Sequence, residues 1–460
     1  MVALHPVPPE PAPLDPSIPD DDLVIALPAD ATLDRAGVDA LLEFATDDRA
    51  HAWYGDLVIG GSIHRRAAWS PTRLLTDPIA AAPLAVRAGW LRTHDTVAAA
   101  ADLAFRLVRE RADVVHVTAV LTRHASPPSR TSAPVIEGRL AELALPAALD
   151  SAHRLRPLAE FAPDVSIVIP TAGAMLHSGT VAASRLVERL DPLPARIELV
   201  FVVGDEFRGD PAVLEGPGHR IVRRPPGPFN FSGAVNLGVL HANSSHVLLL
   251  NDDTEPDGPA FVDQMALHLA DATVGVVGAL LTYPDGTVQH DGVVIDDARP
   301  LHPFVGWQPS DTVRYGGLLA REVIAVTGGC LMMRRADYLA VGGLSTSFPL
   351  SFNDVDLCLR VQRAVGRVVI DPTATLVHHE TLTREPVITA DEWGRWIDRW
   401  GEIVDPWYHP AYHRPDDPHD LARNANHLEP GADDPEHPPQ ARRPRLRSRV
   451  HRGRPAPDGG

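Results

Sequence analysis

Apolar residues in this chain fall into short continuous runs, separated by polar turns and by stretches in which they recur every three to four positions. Between residue 22 and about His124, runs such as Leu23-Val24-Ile25-Ala26-Leu27 alternate with helical patterns such as Asp95 to Arg111. That layout predicts an α/β unit. The stretch Ala125 to Pro134, ASPPSRTSAP, reads as a linker, because Pro and Ser favour turns over regular pairing. A second α/β unit opens at Val165 with Val165-Ser166-Ile167-Val168-Ile169-Pro170-Thr171. Strand candidates follow at Glu198 to Val203, His219 to Arg223, Ser245 to Leu250 and Gly275 to Leu280, with helical segments at Val181 to Leu190, Ala234 to Ala242 and Gly258 to Leu269. Strands this rich in β-branched residues suit a buried sheet, and the strand-helix-strand rhythm implies a mostly parallel one flanked by helices.

At 460 residues the chain exceeds one ordinary core, so two or three folded units are expected. The divisions suggested are a Pro-rich segment over 1–21, an α/β unit over 22–124, a linker and helix over 125–160, the main unit over 161–410 and a disordered, polar, Arg-rich tail over 411–460. The formal net charge of -18 excludes a general nucleic-acid binder, since phosphate backbones are held by surplus basic charge. All 42 basic residues are Arg, a coding bias typical of a GC-rich bacterial genome. Cys330 and Cys358 are the only cysteines, too few for a disulfide framework or a Cys-based zinc site. With no signal-like start and no long apolar span, the expected location is cytoplasmic. The tail, ARRPRLRSRVHRGRP, offers a peripheral contact with anionic lipid at the inner face of the plasma membrane. A solvated extension is the simpler expectation for it.

Chemistry enters at Val247-Leu248-Leu249-Leu250-Asn251-Asp252-Asp253-Thr254. Here carboxylates directly follow an apolar strand, and open α/β sheets bind ligands outside the carboxyl ends of their strands. A hard cation, Mg²⁺ or Mn²⁺, prefers such oxygens and shares its coordination with substrate phosphates. The competing explanation is a helix N-cap before Pro259. Downstream, Asn353-Asp354-Val355-Asp356 opens an amphipathic helix. Asp354 at its mouth suits a general base, and Asp356 can cap the helix or pair with Arg360. Capping alone is the alternative for both. Thr327-Gly328-Gly329, before an apolar strand, reads either as the floor of a sugar site or as a tight turn. His378-His379, at the end of another strand, supplies imidazoles that could complete a metal site.

In this order the residues resemble glycosyltransferase family 2, whose members have the GT-A fold and transfer sugars with inversion. The match covers Val165 to Arg384. In that family a VSIVIPT-like strand opens the nucleotide site, which implies donor contacts from Pro170 and Thr171, with Ala172-Gly173 replacing the usual Tyr-Asn. Asp205 takes the place of an Asp that contacts the base. Phe229-Asn230-Phe231-Ser232-Gly233-Ala234-Val235-Asn236-Leu237-Gly238 resembles the FNFSxAxNxG segment, implying donor-binding roles for Asn230, Ser232 and Asn236. The Asp-x-Asp motif falls on Asn251-Asp252-Asp253. Asn251 and Asp252 are thereby placed on the donor side, and Asp253 becomes the principal ligand of a divalent metal with His378 nearby. Asp354 takes the place of the catalytic base, with Asn353, Thr327, Gly328 and Gly329 on the acceptor side. Thr282 to Val293, including Gln289-His290, resembles a segment of bacterial rhamnosyl- and galactofuranosyl-type cell-surface glycan transferases.

The chain also echoes itself. Val24 to Ala31 parallels Val247 to Thr254, setting Asp30 opposite Asp253, and Ala101 to His124 parallels Val355 to His378. This suggests a truncated, noncatalytic relative of the main unit over 22–124, with generic α/β similarity as the rival explanation. The function expected is an inverting transfer from a nucleotide-sugar donor to a glycan or lipid-linked glycan acceptor in cell-surface polysaccharide synthesis. The alternatives are a noncatalytic nucleotide- or glycan-binding protein, which Asn251 favours, and nucleotidyl transfer, which would not call for a base at Asp354.

Overall fold

A computed structural model describes residues 3–6, 13–27, 31–46, 50–66, 68–76, 83–94, 100–125, 133–315, 317–379 and 388–408. Asp30, most of the linker and the whole Arg-rich tail lie outside the described residues. The first unit holds strands β1 (Leu4–Pro6), β2 (Leu23–Ala26), β3 (Ala31–Leu33), β4 (Ala52–Ile59), β5 (Ser62–His64), β6 (Leu84–Arg87) and β7 (Val114–His124), with helices α1 (Arg35–Phe44), α2 (Ala88–Leu91) and α3 (Ala100–Arg109). Helix α4 (Ala133–Glu142) and the hairpin of β8 (Ala147–Leu149) and β9 (Leu155–Pro157) lead into the second unit.

The second unit contains β10 (Val165–Thr171), β11 (Ile197–Val203), β12 (His219–Arg223), β13 (His246–Leu250), β14 (Thr254–Pro256), β15 (Val274–Thr282), β16 (Val288–His290), β17 (Val294–Asp296), β18 (Arg299–Leu301), β19 (Arg321–Glu322), β20 (Cys330–Arg334) and β21 (Arg367–His378). Its helices are α5 (Ala182–Leu190), α6 (Phe231–His241), α7 (Ala260–His268), α8 (Arg335–Ala340), α9 (Asn353–Ala364) and α10 (Ala390–Trp400). The main sheet runs β12-β11-β10-β13-β20-β15-β21-β14, with β16 on β15 and β19 on β21. Its first four strands are parallel; beyond them the sheet is mixed, because β20 lies antiparallel between β13 and β15.

Alternation along the strands separates the two faces. Ile167 and Ile169 join Leu186 and Leu190 of α5 and Val262 and Met265 of α7, while Val168 joins Val235 and Val239 of α6 and Leu357 of α9 on the other face. Successive strand residues point to opposite sides, so both faces are covered and the strands read as unbroken apolar runs. Each such side chain, once buried, contributes roughly 1.5–3 kcal/mol. Helix α6 approaches closely only because Gly238 has no side chain: a Cβ there would lie 2.4 Å from Val168 Cγ1. The helix begins at Phe231, ahead of the Ala234 expected, because Asn230 caps it by accepting from Gly233 N at 2.8 Å.

The N-terminal sheet has the order β1-β2-β6-β4-β7-β3, with β5 on β4. From β2 onward this repeats β13-β20-β15-β21-β14 with β16 on β15. Every pairing has the same sense: β2–β6 and β4–β6 antiparallel, β4–β7 parallel, β3–β7 and β4–β5 antiparallel. The register agrees as well. Ala31 pairs with His124, and Thr254 pairs with His378. A parallel β1 sits on β2 where β10 sits on β13. Within the segment set apart as Pro-rich, Leu4–Pro6 is already a strand, at the sheet edge where proline is tolerated.

The two units meet at Glu322, whose side chain is fully buried. Its carboxylate accepts from the Thr72 backbone N at 3.2 Å and the Thr72 hydroxyl at 2.7 Å, and pairs with Ser70 and Arg367. Arg367 also reaches Asp271 at 2.6 Å and the Thr273 hydroxyl at 2.9 Å. Leu75 and Phe105 pack on Ile136, Leu140, Leu155 and Leu267 beside this contact. Among the described residues no helix is long and apolar enough to cross a membrane. Glu322→Ala would remove the buried acceptor shared by Ser70, Thr72 and Arg367 while Asp271 still pairs with Arg367, so urea denaturation should show a loss of about 1–3 kcal/mol.

Candidate functional site

The end of β13 delivers Asn251-Asp252-Asp253 to the carboxyl edge of the sheet, as the strand pattern predicts. Thr254 Oγ1 donates to Asn251 O at 2.8 Å and closes the turn, and Asp253 O accepts from His379 N at 3.0 Å. The cluster is not a helix cap: α7 starts after Pro259 with no side-chain cap. The Asp252 carboxylate accepts from Thr171 Oγ1 at 2.5 Å, and Thr171 Oγ1 in turn accepts from Gly173 N at 3.1 Å. Thus β10 and β13 are latched where the donor was expected. Burial and the neighbouring Asp253 carboxylate push Asp252 up to about 7, against the lowering effect of the Thr171 hydroxyl.

β21 ends beside this cluster. His378 Nε2 lies 3.1 Å from Asp253 Oδ1 and 3.3 Å from Asn251 Nδ2, while its Nδ1 is 2.6 Å from Gln289 Oε1. An amide oxygen only accepts, so Gln289 fixes a proton on Nδ1 and leaves Nε2 toward Asp253. With Nε2 unprotonated, this nitrogen and the Asp253 carboxylate would both be acceptors, an arrangement that suits a shared cation. Among the described residues no group of three His, Cys, Asp or Glu side chains forms a ready-made metal cage. Asp253 and His378 are two side chains that could hold a divalent cation whose remaining positions a substrate phosphate and water would fill.

Thr327-Gly328-Gly329 bridges this cluster to Asp354. Gly329 O accepts from Asn251 N at 3.1 Å, and Gly328 N donates to Asp354 Oδ2 at 2.8 Å. The other Asp354 oxygen accepts from Val355 N at 2.8 Å, and the side chain is half-buried. Each oxygen retains a lone pair for a further donor. Behind the loop, His290 Nε2 accepts from Thr327 N at 3.2 Å, and its Nδ1 lies 2.7 Å from His302 Nδ1. Burial first, then the neighbouring His302, Arg321 and His378 charges, hold His290 far below its ordinary pKa and therefore neutral. Asp356 is fully buried and accepts from Arg360 Nε at 2.9 Å, the pairing expected of it.

The remaining candidates sit differently. Asp205 is exposed at the end of β11, and Pro170 lies buried in β10. Ser232 is fully buried and donates to Phe348 O at 2.7 Å. Asn236 donates to Leu344 O at 2.8 Å and accepts from Tyr338 and Leu344 N, and Asn230 Nδ2 donates to Thr346 O at 2.9 Å. These three residues tie α6 to the 344–348 loop, with Ser232 buried in that contact. Asn353 is likewise buried, with Nδ2 3.4 Å from Phe348 O. Gln289 and His290, noted in the sequence only as part of a resembling segment, prove to be the residues that orient His378 and the Thr327 loop. The Glu206–Arg224 pair at 2.5 Å beside Asp205 had no signal in the sequence beyond its charge.

No family model matches the chain. In sequence it is 35% identical over 235 residues to the uncharacterized protein y4gI of Sinorhizobium fredii, covering 49% of this chain and 25% of that one. It is 28% identical over 360 residues to the O-antigen biosynthesis protein RfbC of Myxococcus xanthus, covering 71% of this chain and 28% of that protein. The chain thus spans only about a quarter of each relative. Among solved structures, similarity extends to GalNAc-T7 with UDP, GalNAc and Mn²⁺ (12% identity, TM-score 0.40, 57% of this chain and 54% of that one). It extends also to the mannosyltransferase PcManGT of Pyrobaculum calidifontis with GDP-Man and Mn²⁺ (17%, TM-score 0.35, 54% and 64%).

The tautomer of His378 is directly measurable. Nitrogen NMR should show Nδ1 protonated in the unmodified chain, and Gln289→Leu should give a mixture of both tautomers without loss of fold.

Proposed function

We propose that this chain is an inverting glycosyltransferase of the GT-A kind, moving a sugar from a nucleotide-sugar donor to a glycan or lipid-linked glycan acceptor in bacterial cell-surface polysaccharide synthesis. The observation that carries the reading is the joining of two functions at one sheet edge: the Asp253–His378 pair and the Asp354 carboxylate, bridged by Thr327-Gly328-Gly329. The similarity to an O-antigen biosynthesis protein supports the cell-surface assignment. A cytoplasmic setting, with the acceptor met at the inner face of the plasma membrane, goes with it.

In this reading Asp354 accepts the proton of the acceptor hydroxyl as the oxygen forms its bond to the anomeric carbon. The bond from that carbon to the phosphate oxygen breaks on the opposite side, and the nucleoside diphosphate leaves with the electron pair. Asp253 and His378 are the residues that would hold a divalent cation, Mg²⁺ or Mn²⁺. Such a cation, when bound, offsets the charge growing on the diphosphate. Thr171, Asp252 and Asp205 line the donor side at the ends of β10, β13 and β11. Gly328 N–H fixes the direction of Asp354, and positioning of this kind supplies much of the acceleration. Residues 22–124 serve as a noncatalytic half domain: in the internal alignment Ala100 stands where α9 has Asp354.

Two substitutions separate the roles. Asp354→Asn should reduce transfer by at least about 100-fold while calorimetry still records binding of the donor nucleotide; undiminished turnover rejects the base. Asp253→Ala should weaken Mn²⁺-dependent binding of UDP, GDP or dTDP, and equal affinity with and without Mn²⁺ in the unmodified chain would remove the metal role. A thermal-shift screen across UDP-, dTDP- and GDP-sugars tests the reaction class itself.

A further inference from the structure

We infer that helix α10 sets the position of the Asp354 carboxylate, with Glu392 as the positioning residue; this rests on the reading of Asp354 as the base. The starting observation is Phe352, the residue before α9. Its backbone lies at φ 62° and ψ -2°, a left-handed conformation that bulky residues avoid and that persists only when the surroundings enforce it. This reversal of the chain starts α9 at Asn353 and so fixes where Asp354 stands.

The enforcing contacts come from α10. Glu392, Trp396 and Trp400 are spaced four apart and form one buried stripe. Glu392 Oε1 accepts from Leu350 N at 3.1 Å and Ser351 N at 2.9 Å, holding the two residues before Phe352. The Phe352 ring stacks on Trp396, with centroids 5.1 Å apart and planes at 22°, and Trp393 meets it at 5.9 Å. On the far side, Trp400 Nε1 donates to Asp356 Oδ1 at 2.9 Å, and Arg399 pairs with the same oxygen at 3.0 Å. α10 therefore grips the chain on both sides of Asp354 through Leu350, Ser351, Phe352 and Asp356.

A simpler role for Glu392 is a capping box with Thr389. Thr389 does accept from Glu392 N at 3.2 Å, and its hydroxyl donates to Glu392 Oε2 at 3.0 Å. That arrangement occupies only Oε2. A box would send the carboxylate back to the Thr389 backbone N–H, whereas Oε1 leaves the helix and binds the 350–351 backbone. Glu392 is 1% exposed; burying a carboxylate in a stripe of tryptophans is costly unless its oxygens are satisfied, and the loop amides satisfy it.

The test compares the unmodified chain with E392A and E392Q. Hydrogen exchange of the Leu350–Asp356 segment should accelerate about tenfold or more in E392A, with β10 and β13 unchanged, and return close to the original in E392Q, whose amide oxygen still accepts from both N–H groups. Unchanged exchange in E392A overturns the inference. With a donor that the unmodified chain turns over, E392A should lower kcat about 10- to 100-fold while affinity for UDP, GDP or dTDP with Mn²⁺ stays within about twofold. Thermal destabilisation with unchanged kcat, or a matching loss of nucleotide affinity, also overturns it. A failure of the unmodified chain to bind any of these nucleotides sinks the glycosyltransferase reading instead, and the exchange comparison still decides whether α10 holds the Asp354 segment.

Discussion

Strand β21 is the constraint on which the rest of the molecule depends. Its twelve residues pair with β15, β14 and β19, so its backbone is fixed along nearly its whole length. At one end Arg367 joins the buried Glu322 that holds the N-terminal unit; at the other His378 faces Asp253. Midway, Asp371 is fully buried and accepts from His268 at 2.7 Å, Gln264 at 2.7 Å and Thr373 at 2.6 Å. Burial alone would raise its pKa, but the His268, Thr373 and Gln264 contacts outweigh that and keep it low. A depressed carboxylate stabilises the fold above its unfolded pKa and loses that contribution as pH falls through the folded value, so this tie of α7 to β21 is firm at neutral pH.

The strands of the main unit were legible because β-branched runs buried on two faces leave no other arrangement for 165–171 or 246–250. The acidic cluster was legible for the same reason: once β13 is a strand, Asn251 to Asp253 must emerge at its carboxyl end. What the sequence could not show was which polar atoms of a motif are spent internally. Ser232, Asn236 and Asn353 carry the family pattern, yet their hydrogen bonds close onto the 344–348 backbone, and only three-dimensional neighbours reveal that. Gln289 was missed for the converse reason. Its role exists through contact with His378, 89 positions away, and no local spacing encodes it. The edge strand β1 escaped notice because proline-rich segments read as extended chain, and an unpartnered edge is where such a segment can still pair.

The N-terminal sheet gives the internal echo a physical meaning. Matching strand order could arise from the few ways an α/β unit can be wound, but the shared register is more demanding. A slip of one residue would turn every side chain of a strand to the other face. Ala31 opposite His124 and Thr254 opposite His378 keep the same register in both sheets, although Ala29 and Ala100 stand where the main unit has Asp252 and Asp354. The N-terminal sheet preserves the frame on which His378 is mounted, while its own imidazole has another partner: His124 Nε2 lies 2.8 Å from the Thr122 hydroxyl.

This contrast separates the proposed site of the main unit from its N-terminal counterpart. Both sheets offer a histidine at the end of a long strand, so strand geometry by itself does not create a site. The main unit adds β16, whose Gln289 sets the tautomer of His378, the Thr327-Gly328-Gly329 loop braced by neutral His290, and α10, which holds the strained approach to Asp354. None of these groups touches the reacting atoms in the proposed transfer. Each removes a freedom that the Asp253, His378 or Asp354 side chain would otherwise have. Asn251, the amide at the first place of the acidic cluster, faces the same His378 nitrogen as Asp253, at 3.3 Å against 3.1 Å, so the imidazole is held from two sides while Asp354 keeps its own partner in Gly328 N.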